Sequence, residues 1–427
     1  MPCQPRRSPL SLGRIFLASH RSAAFALTAL GCGPSDPTFT DTDPGPVHEG
    51  DQDFSILDRY LDERLQGDLS GFAMQIVDEE GRVVYRREAG RCESSMCPSG
   101  DPEFTVDLVT GIASSSKWVT STVVLAALDE GVAAGRWESV AAALDTPVVP
   151  ELGCGDVSGP VTQMTLRQLL SFTSGVIADH ECATSKGTLS DCACEIVSDS
   201  AAAMTTQTTP ATKKANAHPP GTTYKYGASH LTIAGAWLER AFGESWEQLF
   251  ERFVRAPLGV EMEYRRAANL AGSIQTSVAD YTLFVDALRA DAQGTQPSRL
   301  LSVEAVAEQR GPQAGWSDPA LTWLITPQSG FDYGLNVWRQ CLRAYTEEEA
   351  LGSTETLQGL IDPDCDAVFV YGHGGKGGYT PFIDGRGRYA AVFAMREDSP
   401  GGGADYTEEE QAITSRVRML VHLAMTE

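Results

Sequence analysis

Lysine is scarce in this chain. Among 427 residues it occurs only at Lys117, Lys186, Lys213, Lys214, Lys225 and Lys376. Lys and Arg together number 33 against 57 Asp and Glu, a net charge of -24 at pH 7. With no long basic run, this balance argues against nucleic-acid binding and against docking on anionic lipid. Long apolar runs are also missing, and no stretch qualifies as a bilayer-spanning helix. There is no internal repeat. The pentapeptide G-x-S-x-G is absent, which argues against an α/β-hydrolase, and so is the spacing of a phosphate-binding loop. What remains is a soluble globular composition, 42% hydrophobic and 21% charged, in a chain long enough for a sizeable core.

The N-terminus reads as an export signal spanning residues 1–31. Arg6, Arg7 and Arg14 supply positive charge ahead of the short apolar run Ser22 to Leu30. The run ends in Ala29-Leu30-Gly31-Cys32, which resembles the lipobox of bacterial lipoproteins, with alanine where leucine is commoner. That resemblance implies a lipid on Cys32, the chain's one expected attachment to a membrane, and a periplasmic or cell-envelope location. A plain cleaved signal and a secreted product is the alternative. Residues 32–53, rich in Pro, Gly, Asp and Thr, are expected to form a disordered tether to a domain over 54–427.

Cysteine usage agrees with export. Beyond Cys3 and Cys32 eight remain, an even number that favours disulfides in an oxidising compartment. Cys92 with Cys97 closes a short loop and Cys341 with Cys365 a longer one. Cys154, Cys182, Cys192 and Cys194 then pair among themselves, in an order the sequence leaves open. His180-Glu181-Cys182 with Cys192-Ala193-Cys194 offers metal-ligand types, but the spacing fits no closed zinc pattern, and disulfides are preferred.

Phe54 to Leu65 has helical amphipathicity. Phe72 to Val77 and Val83 to Arg87, split by Glu79-Glu80-Gly81, predict a β-hairpin. Ser114 to Leu128 predicts a long helix, with Gly131 as its stop. Further helices are expected from Thr165, over Leu231 to Phe242, over Val278 to Ala290 and over Thr407 to Met425. Ile177 to Pro220 reads as irregular. Strands are expected at Ala367 to Tyr371, Thr380 to Ile383 and Tyr389 to Met395. Strands at both ends with helices between them predict an α+β fold. Its antiparallel sheet is built from N- and C-terminal strands and flanked by helices, with an inserted, mainly helical lobe.

Within Gly111-Ile112-Ala113-Ser114-Ser115-Ser116-Lys117-Trp118, Ser114 and Lys117 are three apart at a helix start and so share a face. A serine hydroxyl becomes a nucleophile when a neighbouring base takes its proton, and a lysine with a depressed pKa can be that base. Two later segments add chemistry. Pro220-Gly221-Thr222-Thr223-Tyr224-Lys225-Tyr226 places Tyr226 at a loop-to-helix junction, where its hydroxyl can act as acid or base. Tyr371-Gly372-His373-Gly374-Gly375-Lys376-Gly377-Gly378-Tyr379 follows a buried-looking strand, and its glycines let a substrate approach backbone N–H groups.

In this order, Ser-x-x-Lys, Tyr after Pro-Gly-Thr, then His-Gly-Gly resembles the serine β-lactamase and D,D-peptidase superfamily. The resemblance is closest to its class C-like branch, which includes carboxylesterases. Thr165-Leu166-Arg167-Gln168-Leu169-Leu170-Ser171-Phe172-Thr173-Ser174-Gly175 resembles that branch's TLRHLLTHTSG segment. Pro257-Leu258-Gly259, Ala271-Gly272-Ser273-Ile274 with Ala279-Asp280, and Phe331-Asp332-Tyr333-Gly334-Leu335 are similar to further segments of it. The resemblance implies Ser114 as acylated nucleophile, Lys117 as base or proton shuttle, and Tyr226 in the proton network. It also implies substrate-binding and oxyanion groups at Ser114, His373, Gly374, Gly375 and Lys376. No metal and no organic cofactor are implied.

Three departures bear on substrate. The Y-x-N motif reads Tyr226-Gly227-Ala228, so the asparagine that engages a β-lactam side-chain amide is missing, a contact worth ~1–3 kcal/mol. His373 replaces a lysine whose fixed charge would meet a substrate carboxylate. Tyr379 comes one residue early after His-Gly-Gly. The expectation is an exported serine hydrolase acting on a small-molecule carboxylic ester or peptide-like amide. The alternatives are a weak β-lactamase or D,D-carboxypeptidase, or a catalytically silent envelope-binding module.

Overall fold

In a computed structural model, described over residues 45–426 apart from 185–186, 207–216, 267, 314–330, 354–355, 358, 363–368 and 398–407, the sheet is eight-stranded. In chain order its strands are β1 (Val47–His48), β2 (Leu69–Val77), β3 (Val83–Gly90), β7 (Phe331–Tyr333), β8 (Trp338–Gln340), β9 (Val370–Gly372), β10 (Tyr379–Asp384) and β11 (Ala390–Glu397). They lie in the order β1-β3-β2-β11-β10-β9-β8-β7, and every recorded pairing is antiparallel. N- and C-terminal strands thus share one sheet, joined through β2 and β11. A small second sheet, β4 (Thr110–Gly111), β6 (Ile274–Thr276) and β5 (Glu263–Tyr264), was not legible in the sequence.

The central strands are buried on both faces, because helices cover each side. On β2, Phe72, Met74 and Ile76 point to one core while Ala73 and Val77 point to the other. On β11, Ala391, Phe393 and Met395 share the first core, and Ala390, Val392 and Ala394 the second. The first core is closed by α1 (Ser55–Leu65) and the C-terminal α7 (Glu408–Thr426). The second lies under α2 (Ser116–Ala133) and α6 (Val278–Gln293) and continues into the helical lobe. The lobe is built from α3 (Leu166–Leu170), α4 (Leu189–Thr206), α5 (Ser229–Phe242) and shorter helices.

Every residue of α2 from Ser116 to Leu128 is buried, as expected for a helix passing between sheet and lobe. Gly131 does not stop it. The helix runs on to Ala133, and glycine is required there because a Cβ would lie 2.1 Å from the Trp137 ring.

Two further expectations are corrected. Residues 177–220 are not irregular throughout, since 189–206 form the eighteen-residue α4, whose Ala193, Ile196 and Val197 enter the core. Its start is fixed by Thr188, which accepts from Asp191 N at 3.1 Å and donates to the Asp191 carboxylate at 2.7 Å. The proposed tether is ordered at its end, where Val47 and His48 pair with Arg86 and Tyr85 and the His48 ring lies against Phe54 and Tyr85. The export signal, Cys32 and the tether up to residue 44 lie outside the described residues.

Cys92 bonds Cys97, Cys154 bonds Cys194, and Cys182 bonds Cys192. Cys341 is disulfide-bonded as well, and its expected partner Cys365 lies outside the described residues. Disulfides in this number fit an extracellular or periplasmic protein. Among the described residues no helix is long and apolar enough to cross a membrane.

Candidate active site

Ser114 lies in a 3₁₀ turn, Ala113–Ser115, that runs directly into α2. Ala113, immediately before it, takes φ 44°, a left-handed conformation that a non-glycine residue holds only where its surroundings over-determine it. Those surroundings are visible. Ser116 Oγ donates to Ala113 O at 2.7 Å and accepts from Ile274 N at 3.1 Å. Tyr281 Oη donates to Ser115 O at 2.9 Å, and Ser115 Oγ donates to Tyr379 O at 3.2 Å. Ser114 itself stays half-buried, with its hydroxyl turned toward Lys117.

Lys117 Nζ is 2.9 Å from Ser114 Oγ and donates to Ala271 O at 2.8 Å. It sits 4.6 Å above the Tyr226 ring and is only 4% exposed. Burial pushes its pKa down to about 7, and the carboxylate of Asp179 opposes that shift. An amine of this kind is largely free of its proton just above neutrality.

Tyr226 is wedged between aromatic rings, edge-on to Phe172 at 5.1 Å and stacked on Trp338 at 6.2 Å. Burial raises its phenol well above the usual range, and hydrogen bonding with Ser114 partly offsets this. Its hydroxyl lies 3.0 Å from His373 Nε2. His373 Nδ1 is 2.9 Å from the Asn336 carbonyl, which can only accept. The ring therefore carries its proton on Nδ1 and accepts from Tyr226 at Nε2. Burial, then the nearby Lys117 charge, lowers the His373 pKa to about 3. His373 is fully buried and neutral, and both its nitrogens are occupied, so it offers no charge to a substrate.

The glycine-rich segment folds into a tight turn. Gly375 N donates to Tyr379 O at 2.7 Å and Tyr379 N to Gly375 O at 3.2 Å, with Gly377 and Gly378 at φ 80° and 78°. Gly375 presses on the nucleophile turn, since a Cβ there would stand 2.0 Å from Ile112 O. Lys376, between Gly375 and Gly377 in this turn, is half-buried. Tyr379, the aromatic that comes early, is fully buried and donates to Ser277 O at 3.0 Å, so it does not face the site.

The fold thus brings together Ser114, Lys117, Tyr226 and His373, with Gly375 against the nucleophile turn. Sequence reasoning missed Asn336, Phe172, Trp338, Ala271 and Asp179. Asn336 and Phe172 both have φ 59°, so with Ala113 they make three of the four non-glycine residues at positive φ among those described. A signal existed for both: Phe172 lies inside the Thr165–Gly175 segment, and Asn336 directly follows Phe331–Leu335.

The sequence model of the family described as Beta-lactamase matches residues 57–415. This chain belongs to the beta-lactamase family. No curated protein matches it. Among solved structures, a putative beta-lactamase from Bacteroides dorei is similar at 22% identity and TM-score 0.63, over 88% of this chain and 100% of that one. The D-amino acid amidase of Ochrobactrum anthropi is 16% identical with TM-score 0.56, over 86% and 97% of the two chains. EstCE1, a hydrolase with promiscuous acyltransferase activity, is 17% identical with TM-score 0.55, over 86% and 100%. At such identities the likeness is one of fold, and it is the beta-lactamase fold.

Proposed function

We propose that this beta-lactamase-family chain is a serine hydrolase that forms an acyl intermediate on Ser114 and acts on a carboxylic ester or a small peptide-like amide. The observation that carries the reading is the 2.9 Å contact between Ser114 Oγ and a Lys117 amine whose pKa burial has brought to about 7. Neutral Lys117 takes the Ser114 proton as Oγ attacks the carbonyl carbon. The resulting ammonium returns that proton to the leaving oxygen or nitrogen as its bond to carbon breaks. Water then attacks the acyl-serine by the same route, releasing the acid.

The developing oxyanion would be met by N–H groups of Ser114 and Lys376, the first near a helix start whose dipole favours negative charge. Tyr226, its own proton committed to His373, presents oxygen lone pairs to Ser114 and helps fix the hydroxyl. Phenolate formation is opposed by burial, so Lys117 rather than Tyr226 is the base in this reading.

Ester or amide is preferred to β-lactam because Ala228 and neutral His373 withhold two polar contacts such a substrate would use. Export, with Cys32 as a lipidated first residue, belongs to the same proposal and draws support from the disulfides. The test is incubation with a fluorophosphonate, p-nitrophenyl butyrate and a chromogenic cephalosporin. Labelling of Ser114, lost in Ser114→Ala, with ester turnover far above that of cephalosporin is expected. An unlabelled, inactive protein would leave a silent binding module, and equal turnover a β-lactamase.

A further inference from the structure

The segment Ala178–His180 lies flat against the residues that follow Tyr226. Ser229 N donates to Ala178 O at 2.9 Å, and His180 N to Ser229 Oγ at 2.9 Å. Between them, Ala228 N donates to Asp179 Oδ1 at 3.2 Å. The approach is so close that only glycine fits at 227, where a Cβ would stand 2.3 Å from Ala178 O. Asp179 is therefore held by its neighbours on both sides and by one of its own oxygens.

The other oxygen is uncommitted. Among the described residues Oδ2 makes no hydrogen bond and Asp179 forms no ion pair, although its side chain is exposed. The same carboxylate is close enough to act electrostatically on Lys117, Tyr226 and Lys225. A fixed negative charge with free lone pairs thus stands at the rim of the site, held against Ala228, two residues along the chain from Tyr226. Beside it is the methyl of Ala228, which supplies no competing side-chain donor. An asparagine at 228 would offer N–H groups to a substrate carbonyl. Asp179 offers only acceptors, which suit an N–H-bearing cation.

We propose that Asp179 determines specificity by selecting acyl groups that carry an ammonium near the scissile carbonyl, as in α-amino esters and amides. This rests on the acyl-Ser114 reading and narrows it. An ammonium gains a charge-assisted hydrogen bond to Oδ2, a neutral acyl group gains nothing there, and an acyl carboxylate is repelled.

The test compares the p-nitroanilides of D- and L-phenylalanine with that of 3-phenylpropionic acid, which has the same skeleton without the amine. The readout is the ratio of kcat/KM for ammonium over neutral substrate, in the native enzyme and in Asp179→Asn. Asparagine retains an oxygen for Ala228 N–H, and any shift it causes in Lys117 acts on both substrates and cancels in the ratio. The native ratio is expected to favour one phenylalanine enantiomer, and Asp179→Asn to lower it about two- to fivefold, the scale of an exposed charge pair. A native ratio near one, or a ratio that Asp179→Asn leaves unchanged, overturns the proposal while fluorophosphonate still labels Ser114. Loss of labelling and of all turnover in the native protein is a different result, and it removes the hydrolase reading together with this one.

Discussion

Tyr226 donates its hydroxyl proton to Nε2 of His373 across 3.0 Å. The direction follows from the far side of the imidazole, where Nδ1 must donate to the Asn336 carbonyl. His373 therefore works as a neutral acceptor that orients the Tyr226 phenol.

This arrangement predicts unequal effects of two substitutions. Tyr226→Phe removes the oxygen beside Ser114 and is expected to lower kcat for p-nitrophenyl butyrate by ~10²-fold or more. His373→Gln, which keeps an acceptor near the same place, should cost only about tenfold, chiefly through loss of orientation. Because His373 has its pKa near 3, the glutamine variant should keep the native pH profile between pH 5 and 8. A profile that loses its inflection in that variant would assign the titration to His373 instead of Lys117.

The pH dependence itself is fixed by the sign of the Lys117 shift. Burial lowers its pKa from the ordinary lysine value to about 7, so the ammonium dominates below and the amine above that point. Only the amine can accept the Ser114 proton, so kcat/KM should rise with pH and reach half its plateau near 7. Lys117→Arg keeps a cation that does not deprotonate. It should lose ~10²–10⁴-fold at every pH and show no inflection. Asp179→Asn removes the charge that favours the ammonium and should move the inflection to lower pH.

Much of this site was legible because its chemistry is local in sequence. Ser114 and Lys117 share a helix start, and β2, β10 and β11 read as short, largely apolar runs next to turn residues. Glycine could be misread, since Gly131 looks like a stop until Trp137 is seen lying on it. Residues 189–206 looked irregular because Cys, Ser and Thr are weak helix formers, yet Thr188-x-x-Asp191 marked the start. Asp179 acts through a long-range charge and leaves no motif, while Asn336 acts through a backbone carbonyl that any residue could supply, so its place after Phe331–Leu335 did not mark its role. The fold makes them visible, by bringing Asn336 to His373 across 37 residues and Asp179 to Ala228 across 49.

Gly375 offers a test of the contact between the glycine-rich turn and the nucleophile. Alanine there would place Cβ 2.0 Å from Ile112 O and 3.0 Å from Ser115 Oγ, so one backbone must move. The expected cost is about 1–3 kcal/mol of stability, with esterase activity falling further because Ser114 is displaced. At Gly374 the nearest atom to such a Cβ is 3.8 Å away, so Gly374→Ala should melt close to the native protein. Equal melting temperatures for the two variants would show that the turn yields freely and does not position Ser114.

The disulfides separate chain entropy from packing. Cys154–Cys194 spans 40 residues and Cys92–Cys97 only 5. Opening a link frees the unfolded chain more when the closed loop is longer, and the difference between these two loops amounts to about 2 kcal/mol. Each double alanine variant removes the same two sulfur atoms, so the losses from transfer and cavity terms are similar. Cys154→Ala/Cys194→Ala should therefore be the less stable in urea, by roughly that margin. None of the hydrogen bonds among Ser114, Lys117, Tyr226 and His373 passes through either link, so kcat at 25 °C should survive in both. If the short-loop variant proves the weaker, Cys92–Cys97 is stabilising the native segment beside Gly111, whose N–H donates to Met96 O at 2.9 Å, and the chain-entropy account fails for this protein.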